Sequence, residues 1–152
     1  MSPFFIYLKT EPYLAEWIKS AFGSPVRLTR DTPEYVVVKR FLSKLPENTL
    51  PDISSDFNVC LEIPWFKEKD PRVYNYMSPR AKQCLVESFE CLFIRNMWTE
   101  IGSLENINCS LTNVIYAYLE KHDMSEEHWE CIRQKYYRIR KRYFKENQIK
   151  IA

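Results

Sequence analysis

"SLTNVIYAYLEKHDMSEEHWECIRQKYYRIRKRYF", residues 110–144, contains two apolar periodicities separated by a few polar residues. In the first, Leu111, Val114, Ile115, Tyr118 and Leu119 recur at the three- and four-residue spacing of one helix face. In the second, Trp129, Ile132, Tyr136, Ile139 and Tyr143 fall within a stripe of roughly 80° at the helical repeat. Ser125 is a suitable cap for the second helix. Glu126 and Glu127 follow in its first turn, where the helix dipole favours anions. The pattern predicts helices over 110–121 and 125–146, joined by the tight connection "DMS".

Immediately upstream, Ser78 caps a helix with Pro79 in its first position, predicted over 79–101 and ended by Gly102. Leu85, Phe89, Leu92 and Phe93 lie on one side of it. Cys84, Cys91 and Trp98 form a second stripe at seven-residue intervals. So wide an apolar surface predicts a helix central to the core. Three helices in this order have the layout of a helix-turn-helix unit, whose last helix enters the major groove. Two features depart from that layout. The turn lacks its usual glycine, and the start of the last helix carries Glu126, Glu127, His128 and Glu130. An acidic first turn points to phosphate binding along later turns rather than to base readout.

The N-terminal part mixes strands and helices. "FFIYL" (4–8) and "PVRL" (25–28) read as strands, and "FNVCLEIPWF" (57–66) as a third that Pro64 ends or pushes to an edge. Between them, Thr10 is the predicted cap of a helix with Pro12 in its first turn and Gly23 as its stop. Its inward face is Leu14, Trp17, Ile18, Ala21 and Phe22. A second helix is predicted over 33–44, with Val37, Phe41 and Leu45 on one side, followed by a loop over 46–56.

At 152 residues the chain has room for one ordinary core with a small appended lobe. Aromatics at 15% are inconsistent with disorder. No apolar run approaches the ~18–20 residues needed to cross a bilayer. The opening "MSPFFIYLKTEP" lacks the pattern of a secretory signal. Five cysteines at unmatched spacings read as thiols of a reducing cytoplasm, which predicts a cytoplasmic location. With only Gly23 and Gly102, the chain has no loop suited to cradling phosphates, which excludes P-loop and dinucleotide-binding sites.

Charge is distributed unevenly. Residues 133–145 hold seven of the 22 Lys and Arg and none of the 20 acids, leaving 15 basic against 20 acidic groups elsewhere. A cationic patch on an acidic body attracts polyanions locally. Lys135, Arg138, Lys141, Arg142 and Lys145 lie opposite the apolar stripe of the last helix, and Arg133 and Arg140 flank it. Tyr136 and Tyr143 belong to the stripe and are expected in the core. Tyr137 and Phe144 lie off it as exposed aromatics. A solvated helix surface would also be basic near a C-terminus. It usually mixes signs, however, because like charges repel and opposite ones gain pairs one turn apart.

"KEKDPRVYNYMSPRAK" (67–82) is a second candidate patch, in which Lys67, Lys69, Arg72, Arg80 and Lys82 surround Tyr74, Asn75 and Tyr76. The competing reading is a structured loop in which Asp70-Pro71 starts a turn and the tyrosines pin it to the core. Catalytic and metal motifs are weak. His122 and His128 read as surface histidines at helix ends, and the Cys84/Cys91 spacing is not a zinc signature. A carboxylate cluster of Asp52, Asp56, Glu62 and Asp70 is what a metal-dependent nuclease would need, but nothing in the spacing selects these acids. No catalytic residue, metal ligand or cofactor is expected.

"KDPRVYNYMSPRAK" and "VIYAYLEKHDM…HWECIRQKYYRIRKRY" resemble segments of a group of uncharacterised small bacterial proteins linked to mobile elements. The likeness spans about the last two-thirds of the chain. It implies a cytoplasmic bacterial protein near DNA transactions and carries no residue roles.

The expected fold is α+β and mostly helical, with short N-terminal strands and two helices (residues 1–77) packed on a C-terminal three-helix, helix-turn-helix-like unit (78–152). The expected function is binding of nucleic acid, duplex DNA first, as a transcriptional regulator or mobile-element accessory factor. Arg133, Lys135, Tyr137, Arg138, Arg140, Lys141, Arg142 and Lys145 form the expected surface. A protein-interaction module is the alternative and a small metal-dependent nuclease the third reading. A homodimer or protein partner is compatible with either binding reading, and no membrane partner is expected.

Overall fold

The computed structural model describes residues 4–52, 57–105 and 109–151. The fold is α+β and mostly helical. In chain order the elements are β1 (Phe5–Leu8), α1 (Pro12–Phe22), α2 (Pro33–Phe41), β2 (Ser43–Lys44), β3 (Val59–Glu62), β4 (Tyr74–Tyr76), α3 (Pro79–Glu105), α4 (Leu111–Lys121) and α5 (Trp129–Ile151). Two compact units divide at Leu92/Phe93, inside α3, rather than at residue 77.

In the first unit, β1 and β3 pair antiparallel with Phe5 opposite Glu62 and Leu8 opposite Val59. Alternation along β1 and β3 buries Ile6, Leu8, Val59 and Leu61 on one face. The expected strand at 25–28 reduces to a single parallel bridge. Val26 donates to Cys60 O (2.8 Å) and accepts from Glu62 N–H (2.9 Å). Pro25 has no N–H to extend the ladder. The expected strand at 57–66 likewise shortens to four residues.

The residue at the cap of helix α1 is Glu11, not Thr10, whose N–H and C=O are both held by the Asn58 amide (2.9 and 2.7 Å). It ends as expected at Gly23, whose φ of 86° is open to glycine at no steric cost. Its buried face is Tyr13, Leu14, Ala15, Trp17 and Ile18, and Ala21 is exposed. Helix α2 is capped by the Thr32 hydroxyl, which accepts from Tyr35 N–H. It stops at Phe41, before the expected 44, and turns a different face inward. Val38 and Leu42 are buried, whereas Phe41 and Leu45 are exposed. Residues 43–44 become β2 and pair with β4, which sequence periodicity is too short to reveal.

Helix α3 buries Ala81, Leu85, Phe89, Phe93, Met97 and Ile101, a strict four-residue repeat. The first three belong to the first unit's core and the last three to the second's. Cys84 and Cys91 are exposed, so the expected second apolar stripe is not a core face. Gly102 lies within α3, which runs on to Glu105.

In the second unit, Val114, Ile115, Tyr118 and Leu119 of α4 pack with Met124, Ile132 and Tyr136. The turn between α4 and α5 uses Asp123 where glycine is usual, at φ 51°, a conformation Asp tolerates better than most residues. Met124 N–H closes the turn on Leu119 O (2.8 Å). Ser125 then caps a single 3-10 turn, Glu126–His128, that leads into α5.

Candidate nucleic-acid interface

Helix α5 carries three different surfaces. Ile132 and Tyr136 are fully buried. Tyr143, expected beside them, is 49% exposed and only leans on Trp98, with ring centroids 5.4 Å apart. The reason is the length of the helix: residues 141–146 are all exposed.

The second surface is a ridge of alternating rings and guanidinium groups. Trp129, Arg133, Tyr137, Arg140 and Phe144 are three or four residues apart and so follow one side of the helix. Tyr116 of α4 stacks on Trp129 at 5.7 Å and 27°. The Arg133 guanidinium lies 5.9 Å from the Trp129 ring and 5.5 Å from Tyr137, and Arg140 lies 5.6 Å from Phe144. Tyr137 and Phe144 are 41% and 51% exposed, as expected.

Arg133 is not a free cation. Its guanidinium donates to both oxygens of Glu130 (2.6 and 3.0 Å), one turn earlier. The hydrogen bond that Arg133 donates to Glu130 raises the Arg133 pKa, and the same bond lowers that of Glu130. Counting acids only within 133–145 missed this partner. The i, i+3 rule applied across the boundary would have found it.

The third surface is cationic. Arg138, Lys141, Arg142 and Lys145 are exposed and form no ion pair among the described residues. They occupy about 100° of the helix circumference and about 10 Å of its length. Lys135 and Arg140 are half-buried.

Between α5 and the C-terminal turns of α3 lies a cleft of about 560 Å³, lined by Trp98, Gly102, Ser103, Tyr136, Arg140, Tyr143 and Phe144. Reading Gly102 as a helix stop concealed it. A glycine one turn after Trp98 leaves that side of the indole uncovered by a neighbouring side chain. That spacing was the available signal.

The second sequence patch is largely tied up in local structure. Lys69 Nζ donates to the carbonyls of Lys39, Arg40 and Leu42 (2.7, 3.2 and 2.8 Å), closing the C-terminus of α2. Arg72 is bidentate with Asp70, which also accepts from Arg72 N–H. Lys82 pairs with Asp52 and covers the Phe57 ring at 4.5 Å. Lys67 and Arg80 are exposed. The expected turn at Asp70-Pro71 is present, with Tyr74 N–H on Asp70 O (2.8 Å).

The acids considered for a nuclease do not converge. Asp52 is held by Lys82, Asp70 by Arg72, and Glu62 by Arg27 (3.3 Å). Asp56 lies outside the described residues. Among the described residues no three His, Cys, Asp or Glu side chains are grouped as metal ligands. The histidines are less exposed than expected. His122 is 13% exposed, 4.4 Å from the Tyr118 ring and 3.0 Å from Glu100. Burial pushes the Glu100 carboxyl pKa up, but bonds from His122, Lys121 (2.9 Å) and Asn96 (3.2 Å) outweigh it and lower it. No helix among the described residues is long and apolar enough to cross a membrane.

The chain matches no known protein family, no curated protein and no solved structure.

Proposed function

We propose that this protein binds nucleic acid, duplex DNA first, by laying the outward cations of α5 along backbone phosphates. The carrying observation is the set Arg138, Lys141, Arg142 and Lys145, exposed on one side of α5 without an acid partner among the described residues. Four like charges this close repel one another, and a polyanion relieves that repulsion while releasing its own counterions. A 10 Å length of duplex presents about six phosphate charges, enough for all four cations.

Sequence readout is not part of the proposal. The turns that would meet base edges carry Glu126, Glu127 and Glu130, and Glu130 is committed to Arg133. Acids there disfavour close approach to phosphates and to the acceptor-rich groove edge of guanine. The binding is therefore phosphate-directed, suited to an accessory factor or regulator at a mobile element as the resemblance implies.

Fluorescence anisotropy of a labelled duplex tests this. Saturable binding at low salt that weakens steeply with added salt is expected. No binding to any nucleic acid at low salt overturns the proposal. A second reading rests on the Tyr116–Trp129–Arg133–Tyr137 stack, because Trp, Tyr and Arg dominate the energetics of protein interfaces. Association with a protein partner that is insensitive to salt would favour it.

A further inference from the structure

Helix α2 presents a second charged surface, on a different compact unit from the cationic face of α5. Its outer side opens into a cleft of about 520 Å³, in which four of the seven lining side chains are cationic and one, Glu68, is acidic. Two of those cations are already engaged. The Lys69 ammonium directs its three N–H bonds at the carbonyls that end α2, and Lys39 lies 3.5 Å from Glu68. Arg30 and Arg40 differ from them. Both are exposed, and neither guanidinium has a hydrogen bond or ion pair among the described residues. Arg30 stands two residues before the Thr32 cap and Arg40 lies in the last turn, so the two bracket a helix about 12 Å long. Between them the floor is apolar. Val36 is 51% exposed, and the Tyr35 ring is held edge-on to Phe66 at 5.1 Å and 65°. A cation, an apolar floor and a second cation are complementary to a guest that reads acid, apolar, acid.

We infer that this cleft binds an acidic peptide segment of a protein partner, with carboxylates on Arg30 and Arg40 and an apolar side chain between them on Val36 and Tyr35. A guanidinium meets a carboxylate through two parallel N–H···O bonds, which fixes orientation as well as charge. An extended chain rises ~3.3 Å per residue, so roughly four residues separate the two acids. A duplex is the poorer guest. Its phosphates follow one another without an apolar group to cover Val36, and they would meet Glu68 on the cleft wall. The inference goes beyond nucleic-acid binding and does not depend on it. It gives the first unit a partner of its own, while the α5 cations keep theirs.

The probe is a short labelled peptide in which two glutamates bracket a leucine, with a control peptide carrying glutamine in place of both glutamates. Anisotropy with the full chain is expected to show saturable binding of the glutamate peptide that weakens with salt, and far weaker binding of the control. Arg30→Gln and Arg40→Gln should each weaken the glutamate peptide about fivefold, the upper end for a solvent-accessible ion pair. Glu68→Gln should strengthen it by a similar factor, because the change removes the acid from the cleft wall and releases Lys39. A folding defect does not produce that gain. Duplex affinity should be the same in Arg30→Gln, Arg40→Gln and the unmodified chain. No peptide binding at low salt, equal binding of the two peptides, or a Glu68→Gln chain that binds no better overturns the inference. So does peptide binding that survives Arg30→Gln and Arg40→Gln, which would place the peptide on α5. Loss of duplex binding in those two variants overturns it as well, by assigning the cleft to phosphates. Failure of the unmodified chain to bind duplex overturns the α5 reading alone.

Discussion

Replacing Arg138, Lys141, Arg142 and Lys145 together by glutamine removes the outward charge of α5 with little other disturbance. All four are exposed, and glutamine is as good a helix former as lysine or arginine. Each lysine or arginine on a phosphate contributes ~0.9 to the slope of log K against log salt on duplex DNA. Four such contacts contribute about 3.6, so from about 50 to 200 mM salt the original chain loses about 150-fold more affinity than the variant. Anisotropy titrations at four or five salt concentrations read this slope directly. Slopes within one unit of each other for the two proteins would refute the reasoning, because the four cations would then contribute at most one contact. A parallel loss at every salt concentration would have the same meaning, pointing to altered folding or uniform shape effects rather than released counterions.

Lys69→Met should lower the stability of the first unit by about 1–2 kcal/mol, since the ammonium satisfies three carbonyls at the end of α2. A denaturant midpoint measures it. DNA affinity should not change, and a large loss of affinity would restore Lys69 to the binding surface. Glu100 has a folded pKa below the ordinary 4.5, so its contribution is fully present above that value and is lost as pH falls through the folded pKa. Denaturation midpoints between neutral and acidic pH should therefore drop more steeply for the original chain than for Glu100→Gln, and parallel profiles would contradict the assignment. Asp123→Val should cost about 1–2 kcal/mol through its left-handed backbone, whereas Asp123→Gly should be tolerated. Thermal midpoints distinguish them.

The long elements were legible because their apolar spacing repeats over many turns. The start of α2 at Thr32, the start of α3 at Pro79 and the whole of α4 follow from caps and periodicity. The short pieces were not. β2 and β4 exist only through their pairing with each other, and Val26 joins β3 by one bridge. Inward faces were misread where β-branched and aromatic residues surround a short helix, as in α2, where the solvent side also carries Val36 and Phe41. The cationic face of α5 was legible from its wheel. The pairing of Arg133 with Glu130, the structural duties of Lys69, Arg72 and Lys82, and the Trp98–Gly102 cleft all depend on side-chain geometry that composition does not encode.

Mapping backbone amide shifts of the labelled chain during titration with duplex DNA tests the central claim most directly. The account predicts that the largest changes cluster on α5 from Arg138 to Lys145, with smaller ones at Tyr137 and none specific to Lys69 or Arg72. Saturable binding that leaves residues 138–145 unmoved would contradict it.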